Sequence, residues 1–390
     1  MTSVRRAFKW EGAAQGSFSL DILIGYWLYM LTLDKRIETF AVLGRFLKQF
    51  SRQGEENPDL KKLNDEWFAA TDEHFRNAHI YNPWFTEEFV RIAVEAISYM
   101  LEENKLRKWI SIYNSEEFDD NKQTKQIGVV MAGNIPLVGF HDFLCVLLSG
   151  YTFQGKLSSK DQYLMKLMAD LVCAINSDFA DRIILTEERL SNFDAIIATG
   201  SDNSARYFEY YFGKYPNIIR KNRTSVAVIT GNENESELSS LADDVFLYFG
   251  LGCRNVSRFF VPAGYNFGPL FKAFEKYSYL GNHNKFANNY EYNRAIYLVN
   301  QTKHLDGGFF IMKEDSGLFS PLTVYFYDYY SSPEHLESLL TIHKQGIQAL
   351  VTSDQGKEGA VTPGRAQYPE PWDYADGVDT MAFLLSLNKS

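Results

Sequence analysis

The chain has 390 residues, 45% hydrophobic and 23% charged, enough for a sizeable core in two or three domains at roughly 150 residues each, which excludes a peptide hormone, a disulfide mini-protein and a disordered chain. With 39 basic against 49 acidic residues the net charge is -10, the wrong sign for a protein whose main partner is a polyanion, so no nucleic-acid partner is expected. Three cysteines, Cys145, Cys173 and Cys253, are odd in number and widely spaced; they argue against a disulfide framework and a zinc knuckle and for a reducing, cytoplasmic compartment. At the start of the chain Arg5, Arg6 and Lys9 precede an apolar run from Ile22 to Leu33, interrupted from the charges by Glu11 and Asp21. That run is too short to span a bilayer, which takes about twenty residues, so residues 1–33 are expected to be an extension without stable membrane insertion.

From Asp34 the pattern is helical, with Ile37, Phe40, Leu43 and Leu47 on one face, and it continues through Glu66–Asn77 and Thr86–Tyr113 as an N-terminal helical layer. At Gln126 the period changes. IGVVMAG is short, apolar and β-branched, the signature of a buried parallel strand, and a helix is expected from Pro136 to Ser149. Strands at 151–154, 182–185 and 195–198 then alternate with helices at 161–175 and 204–212, which implies a doubly wound α/β sheet with its crevice at the strand C-termini. A second α/β unit opens near Arg223 with the strand SVAVIT, the helix Glu237–Phe249, the tight GLGCRN segment and the strand Ser257–Val261. Helices at 270–279 and 290–299, a strand at 322–329, a Gly- and Pro-rich arm from Gly356 to Trp372 and a short element from Met381 to Leu387 complete it.

Cys253 is the candidate that carries chemistry. Cys145 and Cys173 lie in apolar helical stretches and read as small buried hydrophobes. Cys253 instead stands between Gly252 and Arg254 in a turn, where a thiol can face a cleft and an adjacent cation can favour thiolate; the bland alternative is a half-buried loop thiol. Glycines after strands, in GNIPL at 133, GK at 155 and TGSDNSAR at 199, fall where helix N-termini attract phosphate, although no GxGxxG fingerprint is present. The histidines lack metal-ligand spacing, no GxSxG elbow occurs, and Glu370, Asp373, Asp376 and Asp379 read as turn chemistry in the arm.

The segments VVMAGNIPLVGFHDFLCVLLSG, FGLGCRNVSRFFVP and AQYPEPWDYADGVDTMAF resemble the aldehyde dehydrogenase superfamily, more closely its fatty-acyl reductase branch known from bacterial bioluminescence, over residues 34–390. The resemblance implies a cofactor lobe (34–222 plus 352–390, with an oligomerisation arm) and a catalytic lobe (223–351). It implies that Cys253 is the acyl-accepting nucleophile, that Asn134 and the Cys253 N–H are oxyanion donors, and that Lys156, Ser158, Ser159, Gly200 and Ser201 lie along the cofactor. Two departures matter. Ile219 stands where hydrolytic members keep a general-base glutamate, leaving no carboxylate there to activate water, and Ser159 in KLSS replaces a ribose-binding carboxylate beside Lys160, which leaves room for the 2′-phosphate of NADPH. The implied activity is NADPH-dependent reduction of an acyl-CoA or carrier-protein thioester, with a fatty acyl group, to an aldehyde. The rival expectation is a catalytically degenerate scaffold of the same fold. The aromatic, proline-rich segment Tyr368–Phe383 cannot build its own core and must pack either on its own first domain or on a partner subunit; the resemblance favours the partner, so a homodimer is expected.

Overall fold

The computed structural model describes residues 31–118, 124–200, 202–354 and 356–389. The expectations for all but the end of segment 1–33, and for Ser201, therefore lie outside the described residues. Helix α1 (Leu33–Lys48) starts at Thr32, whose hydroxyl accepts from the Lys35 N–H, and buries Ile37, Phe40, Leu43 and Leu47. Helix α2 (Lys61–Tyr81) follows, and then the segment expected as one helix divides into α3 (Glu87–Met100) and α4 (Glu103–Ile110). The break has a steric cause: α1 passes so close to Leu101 that a Cβ at Gly44 would stand 2.7 Å from the Leu101 Cβ. Glu102 turns extended there, and α4 brings Trp109 into the core without exposure.

The first sheet holds β1 (Gln126–Val130), β2 (Thr152–Lys156), β3 (Ile183–Thr186), β4 (Ala195–Thr199) and β5 (Asn217–Arg220), all parallel, in the order β3-β2-β1-β4-β5. Helices α5 (Phe140–Leu148), α6 (Gln162–Ile175) and α7 (Asp202–Phe212) connect them. The order reverses between the neighbours β1 and β4, so the connections that leave their C-terminal ends part to opposite faces of the sheet and open a crevice there. Helix α5 begins only at Phe140 because Leu137 takes a left-handed φ of 57°, turning the chain before the helix starts.

The second sheet has β6 (Thr224–Val228), β7 (Val256–Pro262), β8 (Leu305–Asp306), β9 (Ile311–Glu314), β10 (Val324–Tyr330) and β11 (Ile347–Thr352), ordered β11-β6-β7-β10-β9-β8, parallel except for β8 on β9. Helices α8 (Glu235–Phe246), α9 (Gly268–Phe274), α10 (Asn284–Val299) and α11 (Pro333–His343) cover it. A capping box of Asn234 and Glu237 starts α8.

The C-terminal arm is satisfied within its own chain. Tyr374 accepts from Trp109 Nε1 at 2.7 Å and lies 2.6 Å from the Tyr113 hydroxyl, while Tyr99 donates to Glu370 at 2.5 Å. The last helix, α12 (Thr380–Ser386), buries Met381, Leu384 and Leu385 in the core beneath the helical layer. The arm thus packs on its own first lobe.

Candidate active site

Between the two sheets lies a cleft of about 570 Å³, walled by loops at the C-terminal ends of first-lobe strands and at the N-terminal ends of second-lobe strands. Gly133 and Asn134 enter it after β1, Ser158 and Lys160 after β2, and Thr199 and Gly200 at the end of β4. From the second lobe come Cys253 and Ser257, at the start of β7, and Phe319. The arm contributes Asp376. Chain segments far apart in sequence therefore meet around one thiol.

Cys253 is half-buried, and burial is the largest influence on it, pushing its thiol above the ordinary range. Arg254 and Arg220 act in the opposite sense, and Asp376 adds to the rise. The expected cation assistance exists, yet it loses to desolvation: the Arg254 guanidinium is directed to the Asp373 carbonyl at 2.8 Å. Asn134 donates its side-chain N–H to the Leu251 carbonyl at 2.7 Å, two residues before the cysteine, tying the first lobe to the nucleophile loop. Cys145 is fully buried with its thiol pushed well up, Cys173 is half-buried, and neither borders the cleft.

The residues expected along a cofactor divide. Ser158, Lys160 and Gly200 border the cleft, whereas Ser159 faces a separate pocket of about 150 Å³ beside Tyr81 and Tyr163. In the turn that follows β2, Ser158 therefore faces the cleft, Ser159 the pocket, and Lys160 borders both. Lys156 ends β2 half-buried and is not part of the cleft wall.

Ile219 is likewise absent from the wall. Its neighbour Arg220 occupies that place, 4% exposed, in a two-pronged pair with Asp142 at 2.5 and 2.8 Å and with a third bond to Thr380 at 3.0 Å. No carboxylate stands at that position, yet the cleft contains two from elsewhere in the chain. Asp142 is neutralised by Arg220; Asp376, held at 3.3 Å from Arg223, is pushed up by burial. Of the four arm carboxylates read as turn chemistry, Asp373 and Asp379 do accept local backbone N–H groups, and Glu370 pairs with Tyr99 and Lys105. Asp376 alone of the four borders the cleft. Its left-handed φ of 62° is the local oddity, and sequence showed it only as Asp before Gly.

Lys160, Arg220, Lys221 and Arg223 give the cleft four cationic side chains against Asp142 and Asp376. Gly133 and Gly200 leave no room for a side chain: a Cβ would stand 2.4 Å from Ser158 Oγ and 2.7 Å from Ser204 Cβ, respectively. Strand-end turns that present backbone, surrounded by cations, fit the phosphates of a dinucleotide. Among the described residues no group of three or more His, Cys, Asp or Glu is disposed to hold a metal ion, and no helix is long and apolar enough to cross a membrane. A surface groove of about 450 Å³ between Glu235, Lys272 and Lys276 carries none of this chemistry.

Solved structures share this architecture. Aldehyde dehydrogenase 21 from Physcomitrella patens, in complex with the reaction product succinate, superposes with a TM-score of 0.60 at 13% identity, over 90% of this chain and 84% of that one. The chain has the aldehyde dehydrogenase fold. A Mycobacterium tuberculosis aldehyde dehydrogenase complexed with NAD+ gives a TM-score of 0.54 at 12% identity (83% and 74% coverage), and a mutant form of aldehyde dehydrogenase C from Pseudomonas syringae, complexed with NAD+ and octanal, gives 0.54 at 11% (82% and 73%). No family model matches the sequence, and no curated protein matches it significantly.

Proposed function

We propose that the protein is a NADPH-dependent reductase that converts an acyl thioester to an aldehyde through an acyl group carried on Cys253. The observation that supports this most is the meeting of Cys253 with Asn134 and a cationic set of strand-end loops in one cleft of an aldehyde dehydrogenase fold. In this reading Lys160, Ser158, Gly133 and Gly200 hold the dinucleotide, and its preference for the 2′-phosphate follows from the lack of a carboxylate beside Lys160. When bound, NADPH supplies the hydride that turns the Cys253 thioester into an aldehyde and a free thiolate.

The protein's own work begins with a proton. Because burial raises the Cys253 thiol, forming the thiolate needs an acceptor, and we assign that part to Asp376, a carboxylate that borders the same cleft and is itself shifted upward by burial. The thiolate attacks the acyl carbonyl carbon, the carbon–sulfur bond to the carrier breaks, and the carrier thiolate leaves with the bonding pair. In this reading the Asn134 N–H not engaged by Leu251 and the Cys253 N–H serve as donors to the oxygen on which charge develops.

A second reading, a scaffold that has lost catalysis, is favoured by one feature: a thiol raised by burial, where a nucleophile benefits from a lowered pKa. Incubation with NADPH and a panel of acyl-CoAs, following absorbance and aldehyde together with the mass of the protein, separates the two. An acyl mass on Cys253 with stoichiometric aldehyde supports the reductase; an unlabelled protein across the panel supports the scaffold.

A further inference from the structure

We infer that Asn255 is the positioning residue that sets Cys253 for attack, an assignment that rests on the nucleophile reading above. The chain reaches Cys253 through an awkward passage. Tyr248 and Phe249, both buried, take left-handed φ values of 54° and 58°, a region that side chains of their size avoid. Such a conformation persists only where its surroundings over-determine it. From outside, Phe89 packs edge-on against both rings, at 5.7 and 4.9 Å, and Trp84 adds a contact to Phe249 at 5.0 Å.

From inside, one side chain does the holding. Asn255 is 1% exposed, donates from Nδ2 to the Leu247 carbonyl at 2.9 Å and the Asp244 carbonyl at 3.1 Å, and accepts the Gly252 N–H on Oδ1 at 2.8 Å. It therefore ties the end of α8 to the residue immediately before the cysteine, across the left-handed pair. Only a carboxamide supplies two donors and an acceptor at this reach; aspartate lacks the donors and glutamine adds a methylene.

The same residue closes the turn on the other side. Its backbone N–H donates to the Gly252 carbonyl at 3.0 Å, so residues 252–255 form a tight turn with Cys253 at its second position. Its carbonyl accepts from Ser225 N at 3.1 Å and Thr224 Oγ1 at 3.3 Å, and the Ser225 hydroxyl donates to the Cys253 carbonyl at 3.1 Å. The peptide after the cysteine is thus fixed to the buried strand β6 and the one before it to Asn255, and the thiol is left on the cleft side. Gly252 is part of the device, since a Cβ there would stand 2.9 Å from Asn255 Oδ1.

A purely structural role would lower the melting temperature and leave the cysteine's chemistry alone. A positioning role changes that chemistry in folded protein. The experiment uses the full chain with Asn255→Ser and, independently, Gly252→Ala, which strains the same hydrogen bond from its other end and keeps the test open should the first variant not fold. Cys253 alkylation by iodoacetamide is measured from pH 6 to 10 by peptide mass mapping, with Cys173 in the same molecules as internal reference. Displacing an oriented nucleophile costs on the order of tenfold or more in rate. The expected result is a plateau rate lowered by about that factor, or a displaced pH midpoint, at Cys253 alone, with the circular dichroism of the native fold retained. Profiles that superimpose on wild type in folded variants overturn the assignment, whatever the melting temperatures do. If Cys253 takes no acyl group from any thioester and its alkylation profile still moves in both variants, the positioning role stands and the thioester reading fails. If wild type is acylated and both variants are acylated at the same rate, the reverse holds.

Discussion

Replacing Asp142 by Asn tests whether the floor of the cleft is a buried ion pair in the energetic sense. Side-chain exposure is 5% for Arg220 and 8% for Asp142, and the two bonds between them are 2.5 and 2.8 Å long. Burial works against the Arg220 charge, and the carboxylate more than offsets it. Removing one partner of such a pair costs about 3–5 kcal/mol, because the remaining charge is left uncompensated. The Asn oxygen still accepts one bond, which returns about 1 kcal/mol, so the net loss is about 2–4 kcal/mol. At about 2.1 cal/mol/K per residue, a chain of 390 residues has an unfolding entropy of roughly 0.8 kcal/mol/K, and Asp142→Asn should lower the melting temperature by about 2–5 °C. Converting both partners to apolar residues, Asp142→Leu with Arg220→Met, removes the uncompensated charge and should restore most of that loss, since such replacements are often neutral or stabilising. Differential scanning calorimetry on the single and double variants provides the readout. A double variant melting as low as Asp142→Asn, or a single variant within about 1 °C of wild type, would refute the reasoning.

Three further outcomes are expected. Cys253→Ala should abolish acyl labelling and aldehyde formation while NADPH affinity, titrated by fluorescence, stays within about tenfold, because the cofactor's phosphates meet other strand ends; aldehyde made by the Ala variant removes Cys253 from the reaction. Ser158→Glu places a carboxylate in the cleft beside Lys160 and should shift preference from NADPH toward NADH by roughly 1–3 kcal/mol, whereas Ser159→Glu, facing the separate pocket, should shift it less; the reverse order contradicts the placement. Asp244 is fully buried, with its carboxyl pushed up to about 7 by burial against two bonds from Gly364 N and Ala366 N. The folded chain then holds a proton that the unfolded chain, with an ordinary carboxyl near 4, has released. Its contribution is therefore greatest below pH 4 and is lost as pH rises to about 7. Asp244→Asn should flatten the melting temperature across that window, and an unchanged slope counts against a raised Asp244.

Much of the fold is legible because the chain punctuates itself. IGVVMAG, SVAVIT and the run ending in TGS each read as a buried strand closing at a turn, and β1, β6 and β4 begin or end within a residue or two of them. The edges are harder. Strands β5, β9 and β11 are four to six residues long with mixed burial, so no continuous apolar run announces them. Helix α11 is legible after the fact: Leu336, Leu339 and Leu340 stand at helical spacing behind the Ser332 cap and Pro333. Tyr248 and Phe249 continue the apolar pattern of α8 while their backbone has left it, since pattern reports which side chains are buried and not the sign of φ.

The site divides along the same line. Cys253 and Asn134 are readable because each lies within a contiguous segment whose local chemistry is distinctive. Asp376, Arg220 and Asn255 are not, because each acquires its role from a partner at a distance: Arg223 for the first, Asp142 for the second, and for the third the carbonyls of a turn that exists only after the strained pair has formed. The exchange of Ile219 for Arg220 shows why one residue can decide this. Along a strand successive side chains change face, so a reading that is correct to within one position assigns the opposite side of the sheet. In a strand covered on both faces the hydrophobic pattern does not mark which face is which. What fixes the choice for β5 is the carboxylate of Asp142, 78 residues away, presented by α5 where a guanidinium can reach it, so the charge that borders the nucleophile's cleft is set by helix packing rather than by any motif.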